Sequence, residues 1–175
     1  MKRLFNNWLI VAFLFFSNSL LSAQESPIKP WLGDWRGTLE IYNTKGLAQT
    51  VVMELNVATL TDSTWQWQIV YGEGDTRQER NYELVETDDP GHYIIDEKNS
   101  IELYLSLINN GLYSVFQVNQ NNLLVYYELE GDQLIFRTLS VNTATERKSG
   151  GGDNIPEVLS WKTGVSQRAV LTKNK

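Results

Sequence analysis

The stretch "TWQWQIVY", residues 64–71, sets Trp65, Trp67, Ile69 and Tyr71 on one side of the chain and Gln66 and Gln68 on the other. Strict alternation over this length belongs to a half-buried β-strand, because a helix would scatter the same rings around its axis. The pattern extends in both directions. Residues 47–57 place Leu47, Val51, Met53, Leu55 and Val57 opposite Thr50, Glu54 and Asn56, and residues 100–107 align Ile101, Leu103, Leu105 and Leu107. Between these runs lie turn formers: Asn43–Gly46, Gly72–Asp75, Asp88–Gly91, Asn109–Gly111, Asn119–Asn122 and Glu130–Asp132. Gly and Asn accept the positive φ that tight hairpins need.

This rhythm predicts an all-β chain of about ten short strands, neighbours antiparallel, forming a barrel or a sandwich. Closure removes unpaired edges, so an antiparallel up-and-down β-barrel is the expected fold. No stretch reads as a helix. One long interruption, "NTATERKSGGGDNIPE" at residues 142–157, reads as a mobile flap before the last strand.

The first 23 residues carry Lys2 and Arg3, an apolar run from Trp8 to Phe16, and a small polar tail ending in Leu21-Ser22-Ala23. That is the layout of a cleavable secretory signal, and the run is shorter than the roughly 20 residues of a membrane span. Residues 24–175 are then expected to form one domain, secreted or periplasmic, with no membrane insertion after cleavage. There is no cysteine, which excludes disulfides and thiolate metal sites. Net charge is −6, and cleavage would remove two of the 15 basic residues, so nucleic acid is not a favoured partner.

"WLGDWRG", residues 31–37, opens the folded part. A closed barrel needs a plug where its first strand enters, and an indole supplies one. Gly33-Asp34-Trp35 at the start of the first strand resembles the Gly-x-Trp signature of the calycin superfamily, which includes lipocalins, fatty-acid-binding proteins and nitrobindin-like barrels. The resemblance implies that Trp35 packs across the barrel base and that an arginine of the last strand covers it. Arg168 in "VSQRAVLTK" is the matching candidate, so Gly33, Trp35 and Arg168 form the expected structural clamp. Neither a lipocalin's C-terminal helix nor the helical lid of a fatty-acid-binding protein is visible in the sequence. Nitrobindin-like barrels hold haem through a late histidine. Val165–Thr172 has none, so haem is not carried over and no cofactor is implied.

The only histidine, His92, stands near Asp88, Asp89 and Asp96, but one imidazole and turn carboxylates make a poor metal cage. No catalytic residue is assigned, since a serine nucleophile needs an adjacent base. "SGGGDN" lacks the Lys-Ser/Thr ending and following helix of a phosphate loop. The collective candidate is an aromatic wall on the apolar parity: Trp65, Trp67, Tyr71, Tyr82, Phe116, Tyr127 and Phe136. Arg80 shares the parity of Tyr82 and Leu84, so it either projects into the lumen to meet a ligand carboxylate or reaches solvent at the rim. Two readings stand: a carrier of a small hydrophobic ligand, with or without an acidic head group, or a filled barrel acting as a structural or protein-interaction module. The strands "GLYSVFQV" and "NLLVYYELE" are apolar on both faces, which keeps a homodimer open.

Overall fold

The computed structural model describes residues 25–174. The expected secretory signal therefore lies outside the described residues. Ten strands run β1 (Gly33–Asn43), β2 (Gly46–Thr59), β3 (Thr64–Tyr71), β4 (Gln78–Glu86), β5 (His92–Asp96), β6 (Glu102–Ile108), β7 (Gly111–Val118), β8 (Asn121–Glu130), β9 (Gln133–Ser149) and β10 (Val158–Lys173). Each pairs antiparallel with its sequence neighbours, and β10 returns to β1, closing an up-and-down barrel. Two single 3-10 turns, Lys29–Trp31 and Gly74–Thr76, are the only helical pieces among the described residues.

Hairpin chemistry fixes the register. The β6–β7, β7–β8 and β8–β9 loops are two residues long, and their first positions, Asn109, Asn119 and Gly131, have φ of 56°, 51° and 62°. Left-handed φ in such loops twists the hairpin with the sheet. Alternation then carries one face of every strand inward. Trp35 pairs across to Leu55, Leu55 to Ile69, Trp67 to Tyr82, and Leu112 to Tyr127.

The β1–β10 seam closes the cylinder. Trp35 and Trp31 are 2% and 1% exposed at its base, and Trp35 Nε1 donates a 2.8 Å hydrogen bond to the Trp31 carbonyl. That bond satisfies the one polar atom of a buried indole. At Gly37 the facing strand comes so close that an added Cβ would lie 2.1 Å from the Val170 carbonyl oxygen. Glycine is required there by backbone approach.

The cation over Trp35 is not Arg168. Trp35 is in register with Lys173, whose Nζ stands 4.7 Å from the indole centroid and 3.4 Å from the Pro30 carbonyl oxygen. Arg168 is in register with Glu40 on the opposite, outward parity. The inward alternation Val165, Gln167, Ala169, Leu171 continues to residue 173, so the parity of the last strand puts Lys173 at the plug and Arg168 outside.

The expected flap is also corrected. Residues 142–149 continue β9, and they pair with Val158–Lys162 as a two-stranded arm beyond the barrel, bulged between Ser160 and Lys162. Only Gly150–Glu157 forms the connection. Both faces of the arm are largely exposed, so it carries no apolar alternation.

Trp35→Ala should cost about 3–5 kcal/mol in urea unfolding. Lys173→Ala should cost about 0.5–1 kcal/mol and couple to Trp35 in a double-mutant cycle, whereas Arg168→Ala should add to Trp35→Ala within about 0.5 kcal/mol. Coupling of Trp35 to Arg168 instead of Lys173 would contradict the seam as described. Gly37→Ala should destabilise by about 1–3 kcal/mol through overpacking.

Candidate functional site

The base of the barrel is solid. Trp65 packs edge-on to Tyr93, ring centroids 6.2 Å apart, and Trp31 sits 6.1 Å from Trp67. Above this floor the side chains do not meet. A chamber of about 230 Å³ is bounded by Trp67, Tyr71, Tyr82, Phe116, Tyr127 and Phe136, with Ser114 in its wall. Toward the open end it adjoins a wider vestibule of about 610 Å³, the two sharing Tyr71 and Gln167 as walls. The Gly72–Thr76 turn contributes Gly72, Glu73 and Thr76 to the vestibule wall.

The aromatic wall is locked by its own packing. Tyr127 stands perpendicular to Trp67 with centroids 5.3 Å apart and leans on Phe136 at 5.0 Å. Burial pushes the Tyr127 phenol upward, and it pushes Tyr71 up to about 12. Tyr82 is raised for the same reason, with the charge of Glu97 adding to it. All three phenols are therefore neutral in ordinary solution and can donate or accept one hydrogen bond each.

Ser114 is the one buried polar residue among those described, and its Oγ is buried with no hydrogen-bond partner. Trp67 Nε1 lies against the Tyr127 hydroxyl, close enough to oppose the upward shift of that phenol, without a well-formed hydrogen bond. An unpaired buried hydroxyl costs about 1–3 kcal/mol.

Six of the eight sequence-derived ligand residues come together here: Trp67, Tyr71, Tyr82, Phe116, Tyr127 and Phe136. Trp65 does not line the chamber. It is 3% exposed and belongs to the floor, one pleat below, opposite Leu84. Arg80 has the lumen parity, opposite Ile69, yet it is exposed at the mouth and stops short of the chamber. No parity slip is involved: β4 begins near the rim, and its inward side chains leave the barrel there. Arg80 is close enough to Tyr71 and Tyr82 for its charge to oppose their upward shifts, and no ion pair holds it among the described residues. Ser114 and Gln167 were missed. Their signal is a polar residue on an apolar parity, between Leu112 and Phe116 and beside Ala169 and Leu171.

His92 lies on the outer parity of β5, paired with Ser106, and its Nδ1 is 3.1 Å from Asp89 Oδ2. No three of His, Cys, Asp or Glu gather as a metal site among the described residues. The histidine is on the far side of the wall from Ser114, so the two make no nucleophile–base pair.

No family model matches the sequence, and no curated protein sequence matches it. Solved structures do share its fold. The chain is similar to the S-type phycobiliprotein lyase of Guillardia theta, with a TM-score of 0.58 and 7% identity, over 82% of this chain and 88% of that one. It is similar to a DUF3598-family protein of unknown function from Nostoc punctiforme, TM-score 0.57 and 14% identity, covering 84% of this chain but only 49% of that one. A protein of M. tuberculosis matches at TM-score 0.53 and 12% identity, over 86% of this chain and 99% of its own. At these identities the likeness is one of fold.

Absorbance titration should show Tyr71 ionising at about 12 instead of the ordinary value of about 10. Because the folded-state value is the raised one, the stability this phenol contributes is complete below about pH 10 and is lost as pH climbs toward 12. Tyr71→Phe should flatten that part of the stability profile, and an unchanged profile would place Tyr71 in solvent.

Proposed function

We propose that the protein is an exported binding protein that holds a small, largely apolar molecule with an acidic head group in its barrel lumen. The observation carrying this reading is the chamber that pairs an aromatic wall with the polar side chains of Ser114, Thr138 and Gln167. Pockets for small molecules are mostly apolar with a few placed polar groups, and this one has that composition. Its size limits the occupant. A dry cavity of about 150 Å³ takes benzene, so a chamber of about 230 Å³ suits a body of about nine non-hydrogen atoms. A longer ligand would extend past Tyr71 into the vestibule. Arg80 lines neither space, but it stands exposed at the mouth within electrostatic reach of Tyr71 and Tyr82, where its charge favours an acidic head. The chamber volume favours this reading over a barrel packed solid, and the apolar run before Ala23 supports export. Barrel likeness to a phycobiliprotein lyase adds support at the level of fold alone.

Calorimetric titration with hydrocinnamate and its neutral analogue hydrocinnamyl alcohol tests the reading. Both should bind, and Ser114→Leu, which fills the chamber, should abolish binding while the domain still melts cooperatively. Arg80→Gln should weaken the acid about tenfold and leave the alcohol unchanged. No heat with either probe, together with no organic adduct in native mass spectrometry of the purified protein, would overturn it.

A further inference from the structure

A second feature lies on the outside of the barrel, one strand wall away from the lumen. Arg137 of β9 and Arg168 of β10 face each other directly in register on the outer parity. Like charges in that relation repel and destabilise the pair of strands. The chain has a surplus of carboxylates, yet none forms an ion pair with either guanidinium among the described residues. Elsewhere it does so readily: Arg36 and Arg77 share Glu54, and each has a further glutamate partner.

The nearest carboxylates by register are otherwise engaged. Glu40, opposite Arg168, accepts a 3.1 Å hydrogen bond from the Tyr42 hydroxyl. Glu128 accepts from Tyr126, the residue opposite Arg137. Glu40 lines the groove beside Arg168, but its carboxylate is engaged by Tyr42 and makes no ion pair with the guanidinium among the described residues. Arg137 in turn rests over the Tyr126 ring, Cζ 6.0 Å from its centroid, and Tyr126 stacks on Tyr113 at 5.0 Å and 17°. Between these groups runs an outer groove of about 680 Å³, whose apolar walls are Tyr42, Leu124, Tyr126 and Leu139 and whose cations are Arg137 and Arg168.

We propose that this groove is a second binding site, for a small molecule that carries an oxyanion, carboxylate or phosphate, on an apolar or aromatic body. The oxyanion would sit between Arg137 and Arg168, whose planar forks match its geometry, and would relieve their repulsion. The body would lie along Tyr126 and Leu124. The groove is separate from the lumen chamber in every one of the residues that carry the argument, and does not depend on the chamber being occupied.

The test follows the side-chain Nε–H signals of Arg137 and Arg168 by NMR while benzoate, phenyl phosphate or benzyl alcohol is added to the protein. Both anions should shift both arginine signals, the tighter of the two identifying the oxyanion, and the neutral alcohol should not. Arg168→Gln should weaken the response of Arg137 about tenfold or more. It should leave the unfolding midpoint equal or higher, because it removes a like-charge pair. Ser114→Leu, which blocks the lumen, should leave the response intact. Absent shifts at millimolar anion, equal shifts with benzyl alcohol, or a marked loss of stability in Arg168→Gln would each overturn the proposal.

Discussion

Where the first strand meets the last, Trp35 has to be buried at the same moment that β1 and β10 pair. The rest of the barrel depends on that coincidence. An antiparallel sheet of ten strands carries two edges until it closes, and edges invite pairing with other chains. Closing it brings Gly37 against the Val170 carbonyl and lets Trp31 swing under the base with its carbonyl bonded to Trp35 Nε1. Lys173 then covers the outer face of the indole. With no disulfide available, this plug and the ring-rich floor above it are what hold the closed form together.

A solid base at one end is what permits an unfilled space at the other. Barrels of this size have little room to spare once side chains are placed. Here the largest rings are concentrated at the floor and around the chamber wall, while Ser114, Thr138 and Gln167 stand where larger inward residues would fill the centre. The small and polar choices at these positions leave a cavity, and the locked aromatic contacts of Trp67, Tyr127 and Phe136 keep it from collapsing. Burial of a polar atom without a partner is tolerated in few places, and Ser114 is one of them. Such local inconsistencies tend to lie where a protein works.

The strand order and inward faces were legible because alternation runs long in β2, β3 and β6, with turn residues between them. Trp67, Tyr71 and Phe136 could be assigned to one wall from parity alone, whereas Phe116 and Tyr127 lie on strands apolar on both faces, whose inward side parity did not settle. Arg168 was misplaced because a family pattern suggested an arginine, while the parity of its own strand pointed to Lys173. Trp65 has the right parity but the wrong depth, and depth along a strand is set by barrel stagger, which no single strand reveals. The arm formed by residues 142–149 and their partners was illegible because both of its faces meet water. Cavity volume is a sum over all ten strands, and the Arg137–Arg168 register depends on bulges in the arm, so neither could be read locally.

The central claim is that the lumen is built to remain open for an occupant. A crystal structure of the protein as purified, with no ligand added, tests it most directly. The account predicts a chamber walled by Trp67, Ser114 and Phe136 that holds ordered density in polar contact with Ser114, Thr138 or Gln167. Tyr82, Phe116 and Tyr127 rotated inward to fill the space at core density would contradict it.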